Sequence, residues 1–174
     1  NYPSLNIYLT GAVVQAASMT GLINLQSSKA YYLENPDEMG KILLLGRLVA
    51  VVYSVFGVVF LWLTIGLLLD WKIGFLSGLL LAIMPLWVRD SHFSLINIPS
   101  TTWMIVAMFF GAVALRKGVS RWLYAGALAS GLAASTKYNA GIVIVCVLFI
   151  GLVLLREQPN FLRRYGIFVI VSCM

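Results

Sequence analysis

The apolar residues of this chain run in blocks about as long as a bilayer is thick, separated by short charged punctuation. That pattern constrains the fold more than any other feature. A hydrocarbon core of about 30 Å takes about 20 helical residues. The blocks fall near 5–23, 43–69, 73–88, 101–115, 122–136 and 140–155, and another begins at 165. Backbone N–H and C=O groups in lipid have to be satisfied within their own segment, so helix is the reading for each. The expected fold is an all-α polytopic transmembrane bundle of about six full helices and a truncated seventh. Composition excludes a soluble domain: 61% of the residues are hydrophobic and 10% charged, against about 45–50% and about 25% in soluble proteins.

Residues 1–174 form one membrane domain in this reading, and both ends look cut: the first residue is Asn, and the last ones stop inside an apolar run. No charged segment, short apolar core and cleavage site mark a signal peptide. Cys146 and Cys173 both lie in apolar runs and are expected to be small buried hydrophobes outside any disulfide framework.

Basic residues orient the bundle. Around 70–72, 116–121 and 156–164 stand Lys72, Arg116, Lys117, Arg121, Arg156, Arg163 and Arg164, so these loops are expected to face the cytoplasm. The loops at 24–41, 89–100 and 137–139 hold fewer, Lys29, Lys41, Arg89 and Lys137, and are assigned to the outer or lumenal side. The net charge of +6 is thus a topology signal, and nucleic acid is not an expected partner. A single helix over 122–155 would be about 50 Å long and would put the two most basic loops on opposite sides. A hairpin turning at Lys137, Tyr138 and Asn139 keeps them together. Its first arm carries Gly126, Ala127, Ser130, Gly131 and Ser135, a small-residue spacing that predicts close packing inside the bundle. Trp71, Trp87, Trp103 and Trp122 fall near helix ends and read as interfacial anchors, and Arg47 reads as a snorkelling cation.

Five of the six acids lie in loops and Asp70 sits at a helix end, so no carboxylate occupies mid-membrane. That argues against a proton-coupled transporter. The richest polar segment is the loop from Trp87 to Pro99, which gathers Arg89, Asp90, His92 and Asn97 at one face. One His and one Asp are too few for a metal site, and no phosphate loop or nucleophilic triad can be assembled. Residue chemistry alone supports a helical bundle with polar residues gathered at the outer face and names no reaction, which leaves an enzyme, a transporter or flippase, and a non-catalytic scaffold in play.

Four segments carry a resemblance. Asn1-Tyr2-Pro3-Ser4-Leu5 with Tyr8-Leu9 resembles the Tyr-Pro outer-loop motif of polyprenyl-phosphate-dependent glycosyltransferases related to protein O-mannosyltransferases. Gly46-Arg47-Leu48-Val49 is similar to their Arg-bearing helix start. Pro85 through Ser91-His92-Phe93 to Pro99 is similar to their Pro, Ser-His, Pro loop, and Gly131 through Ser135-Thr136-Lys137-Tyr138-Asn139-Ala140 is similar to their Thr-Lys segment. The four stand in the family's order over about residues 1–141.

The resemblance implies a GT-C membrane glycosyltransferase, similar to glycosyltransferase family 39, and a prokaryotic plasma or inner membrane is the expected location. Such enzymes move a sugar from a polyprenyl-phosphate donor to an acceptor at the outer or lumenal face. Lys137 matches the family's Thr-Lys position and is the first candidate for the donor phosphate, with Arg89 and His92 next. Tyr2, Pro3, Asn97, Tyr138 and Asn139 fall on the implied substrate side. The family's catalytic Asp would lie upstream of Asn1, so this piece is expected to be inactive alone, with Asp90 as a substitute candidate. Many relatives carry Asp where this chain has Asn97. A divalent cation in the full-length enzyme is left open. The charge split itself is testable: single cysteines at 137 and 117 should label from opposite sides of intact cells, and labelling from one side would remove the hairpin.

Overall fold

The computed structural model describes residues 5–93, 95–118, 121–156 and 165–169. Among them, in order, are the α-helices α1 (Leu5–Met19), α2 (Lys29–Glu34), α3 (Pro36–Leu68), α4 (Trp71–Ile83), α5 (Pro85–His92), α6 (Asn97–Lys117), α7 (Arg121–Thr136) and α8 (Val143–Leu155). A 3-10 turn, Tyr138–Ile142, joins the last two, residues 165–169 are helical, and no strand occurs among the described residues. The expected all-α bundle is what forms. By length and composition α3 and α6 can each cross a membrane, and α4 with α5, bent by 57°, could make a third span.

Local chemistry explains the boundaries. Helix α3 starts several residues before its apolar block because Pro36 occupies the first turn, where its missing N–H costs nothing, and Asp37 and Glu38 suit the positive end of the helix dipole. Asp70 caps α4 by accepting the backbone N–H of Lys72 at 2.8 Å. The expected helix 73–88 breaks at Met84, whose ψ of 121° is the extended conformation forced on a residue before proline, here Pro85. Pro99 lies in the first turn of α6, where it removes one of the orphan donors. Gly118, with φ of 62°, ends α6 in the left-handed conformation glycine favours.

The expected hairpin is present. Lys137 is extended, with φ −155° and ψ 124°, and separates α7 from the turn. In the last two turns of α7 the hydroxyls of Ser130, Ser135 and Thr136 donate to Gly126, Gly131 and Leu132 one turn back, each at 2.9 Å. Such bonds compete for helix carbonyls and weaken a helix near its end.

Helix α6 is the strut of the bundle. Over half of its apolar window is buried, 56%, against 17% for α3. It runs parallel to α3 in a fixed register: Thr102 Oγ1 donates to the Tyr53 carbonyl at 2.9 Å and Arg116 Nε to the Leu67 carbonyl at 2.8 Å, both across 49 residues. Helix α4 returns antiparallel against α3, and α7 returns antiparallel against α6. At the α3–α4 crossing a Cβ on Gly74 would stand 2.6 Å from the Gly66 nitrogen and the Trp62 carbonyl oxygen, so only glycine allows these backbones to meet.

Several expectations need correction. In α7 the buried face is Leu123, Gly126, Ala127, Ala129, Ser130, Ala133 and Thr136, whereas Gly131 and Ser135 point outward, because a helical face advances by three and four residues and not by four alone. Trp87 does not stand free as an anchor: its ring is buried and lies where a Cβ on Gly57 would be, at 2.7 Å. Cys146 is exposed on α8, and Cys173 lies outside the described residues. Arg47 is exposed, as a snorkelling cation would be. The polar stretch 24–41 is not all loop but contains α2 and the first turns of α3.

The packing separates two glycines of one helix. A Cβ on Gly126 would meet the Ala107 carbonyl oxygen and Val147 Cγ1 at 3.3 Å, whereas nothing lies within 4 Å of one on Gly131. Gly126→Leu should therefore cost about 1–3 kcal/mol and lower the melting temperature in detergent, and Gly131→Leu should leave it nearly unchanged. Equal effects would exclude the packing described.

Candidate active site

Residues that the chain holds far apart converge where its helices break. Helix α5, restarted by Pro85, carries Arg89 and Asp90; Asn97 opens α6; Lys137 sits at the break after α7. Asp90 Oδ1 accepts from Arg89 Nε at 3.0 Å and from Nη2 at 2.9 Å. Its other oxygen, Oδ2, accepts from Asn97 Nδ2 at 3.1 Å. Asn97 then uses its remaining polar atom, Oδ1, to accept from Lys137 Nζ at 3.1 Å. Four side chains on three elements thus form one chain, cation, carboxylate, amide, cation.

Exposure along that chain is uneven. The Asp90 side chain is 6% accessible and the Arg89 side chain 63%, while Asn97 and Lys137 are half-buried. Three protein donors therefore stand in for water around the carboxylate, as burial requires. The guanidinium reaches outward from it. Lys137 is held by a neutral amide: the ion pairs among the described residues are Lys41–Glu38 and Arg89–Asp90, and neither includes it. Its positive charge is oriented but not cancelled.

Not every sequence candidate joins this network. His92 is exposed on the last turn of α5, and its Nδ1 lies 2.7 Å from the Val88 carbonyl oxygen, which can only accept, so that nitrogen carries a proton. Tyr138 and Asn139 are exposed beside Lys137 in the 3-10 turn. Tyr2 and Pro3 lie outside the described residues. Sequence reasoning missed the part played by Asn97 as a two-sided bridge. The amide was visible as part of the polar outer-face segment and as a substitution for the carboxylate of relatives, but its bonding depends on which helix ends meet. Among the described residues no group of three His, Cys, Asp or Glu side chains is placed to hold a metal ion.

A second feature lies alongside. A groove of about 720 Å³ runs between α1, α3 and α6, lined by residues including Leu9, Leu48, Val52, Phe60, Val106 and Phe110. With the α3–α6 separation of 49 residues, Leu48 is level with Asn97. The lining from Leu48 to Phe60 extends roughly 18 Å down the helix axis, at 1.5 Å per residue, in an almost wholly apolar channel.

Comparison with known proteins gives the chain a family. Residues 39–174 match the dolichyl-phosphate-mannose-protein mannosyltransferase family, well over half of the chain. The chain belongs to that family. No curated protein and no solved structure matches it. The family match covers Arg89, Asp90, Asn97 and Lys137 together, and it agrees with the GT-C resemblance of the motifs. As a member of the mannosyltransferase family the chain is an integral membrane glycosyltransferase, which accounts for its exposed apolar helices.

The bridge makes a specific energetic prediction. Asn97→Ala and Lys137→Ala each remove the same hydrogen bond, so their destabilisations should not add. A double-mutant cycle read by thermal unfolding should give a coupling of at least about 0.5 kcal/mol. Simple additivity would mean that the two side chains do not communicate.

Proposed function

We propose that this mannosyltransferase-family chain transfers a sugar from a polyprenyl-phosphate-linked donor to an acceptor at the outer or lumenal face, and that Lys137 stabilises the departing phosphate. The observation that carries this reading is the ammonium of Lys137, fixed by the Asn97 amide oxygen at 3.1 Å and free of any carboxylate partner among the described residues. A leaving phosphate gains negative charge as the glycosidic bond breaks. A cation already aimed at that position stabilises the transition state without having to reorganise.

Arg89 is assigned to the same phosphate. Its guanidinium is tethered to Asp90 through Nε and Nη2 and is largely exposed, a geometry that leaves its outer edge able to contact a phosphate oxygen. Asp90 holds Arg89 and Asn97 with both oxygens, which suits it to positioning more than to accepting a proton from the acceptor. His92 is directed back to its own helix and stays a peripheral candidate. Tyr138 and Asn139, exposed next to Lys137, are assigned to the substrate side. The apolar groove level with Asn97 supports a lipid-linked donor, since an isoprenoid chain needs an apolar path beside its phosphate.

Kinetics of the full-length protein test the assignment. Lys137→Ala should lower turnover by roughly 10²-fold or more, and Lys137→Arg should retain part of the activity. Unchanged turnover of Lys137→Ala at saturating donor would remove Lys137 from the chemistry, and a raised donor KM alone would make it a docking residue. Val52→Trp, which fills the groove from an exposed position, should raise the donor KM while sparing turnover.

A further inference from the structure

The end of the bundle opposite Lys137 carries a second group of cations that the glycosyl-transfer site does not use. Arg116, in the last turn of α6, donates from Nε and Nη2 to the carbonyls of Leu67 and Leu68 at 2.8 and 3.0 Å, which ties the C-terminal ends of α3 and α6 together. Beyond it, Lys117 Nζ and Arg121 Cζ lie 5.6 and 5.4 Å from the centroid of the Trp122 ring. Phe110 stacks on the same indole at 5.8 Å with planes 13° apart. The one acid at this end of the described helices, Asp70, is engaged in capping α4. Neither ion pair among the described residues involves Lys117 or Arg121.

We infer that this end binds the phosphate of an anionic membrane lipid, held between Lys117 and Arg121 with Trp122 at headgroup depth. Two like charges gathered on one indole repel each other, and an anion between them relieves that repulsion. A guanidinium presents a fork that fits phosphate oxygens and an ammonium adds a point charge, while tryptophan settles at the level of headgroups. Both cations are exposed, so the phosphate can be met without leaving the interface. The surface that continues from Arg121 argues for a lipid over a soluble phosphate. Tyr124 and Leu128, 38% and 69% exposed, follow at helical spacing on the outward face of α7, the order headgroup, interface, acyl chain.

Native mass spectrometry of the purified chain, after exchange into detergent with equal phosphatidylglycerol and phosphatidylcholine, reads the proposal directly. The wild-type chain should retain phosphatidylglycerol preferentially. Lys117→Gln and Arg121→Gln should each weaken that preference roughly five-fold, and both together should abolish it. The charge-conserving pair Lys117→Arg and Arg121→Lys should keep it, which separates loss of charge from loss of fold. Retained preference in the double glutamine variant would overturn the site, and so would an equal loss on Lys29→Gln, an exposed cation outside both sites. Displacement of the lipid by millimolar inorganic phosphate would overturn its assignment to a lipid.

Discussion

Backbone groups that leave a helix in an apolar solvent lose their partners, and the rest of this structure is organised around that constraint. Between helix ends the chain offers almost no charged side chains, so every interruption has to be supplied with replacements at the place where it occurs. Met84 and Lys137 are the two internal interruptions that matter here, one imposed by Pro85 and one eased by hydroxyls bonding back along α7. Polar residues gather beside them: Arg89 and Asp90 just after the first, Lys137 at the second, and Asn97 between them. Structural necessity and chemical opportunity fall on the same few residues.

Helix α6 connects that polar end with the basic one. Its first residue, Asn97, bridges Asp90 and Lys137, and near its last turn Arg116 clasps the end of α3. Between them, Ala107, Ala112 and Ala114 are small enough for neighbouring helices to come close, and the Thr102 hydroxyl fixes the register against Tyr53. A slip of α6 by one turn would move Asn97 about 5.4 Å along the axis, beyond hydrogen-bond reach of both partners. The tight crossings at Gly74 and Gly126 therefore serve the site as well as the bundle.

The chain belongs to the dolichyl-phosphate-mannose-protein mannosyltransferase family, and under the proposed function these features share a purpose. In the proposed reaction a cation has to be aimed at the donor phosphate beside a long apolar chain while its charge stays available. A neutral bridge meets that requirement: an amide orients Lys137 with one hydrogen bond and leaves its charge available.

Block length, proline positions and the distribution of basic residues were enough to read an all-α membrane bundle, the hairpin at Lys137 and the polar character of the segment from Arg89 to Asn97. Those features are local: the number of residues needed to cross lipid and the missing N–H of proline act through the chain neighbours alone. The sequence also named Lys137, Arg89 and Asp90, but through motif order, with no means of telling that one network joins them. It misjudged the orientation of Gly131 and the burial of Trp87, because small residues spaced by four satisfy more than one helix face and a tryptophan near a helix end can turn outward or inward. Only the tertiary structure decided these points, since contact between residues 40 positions apart, such as Lys137 and Asn97, depends on the register and crossing of whole helices, and many side chains far from the site set that register together.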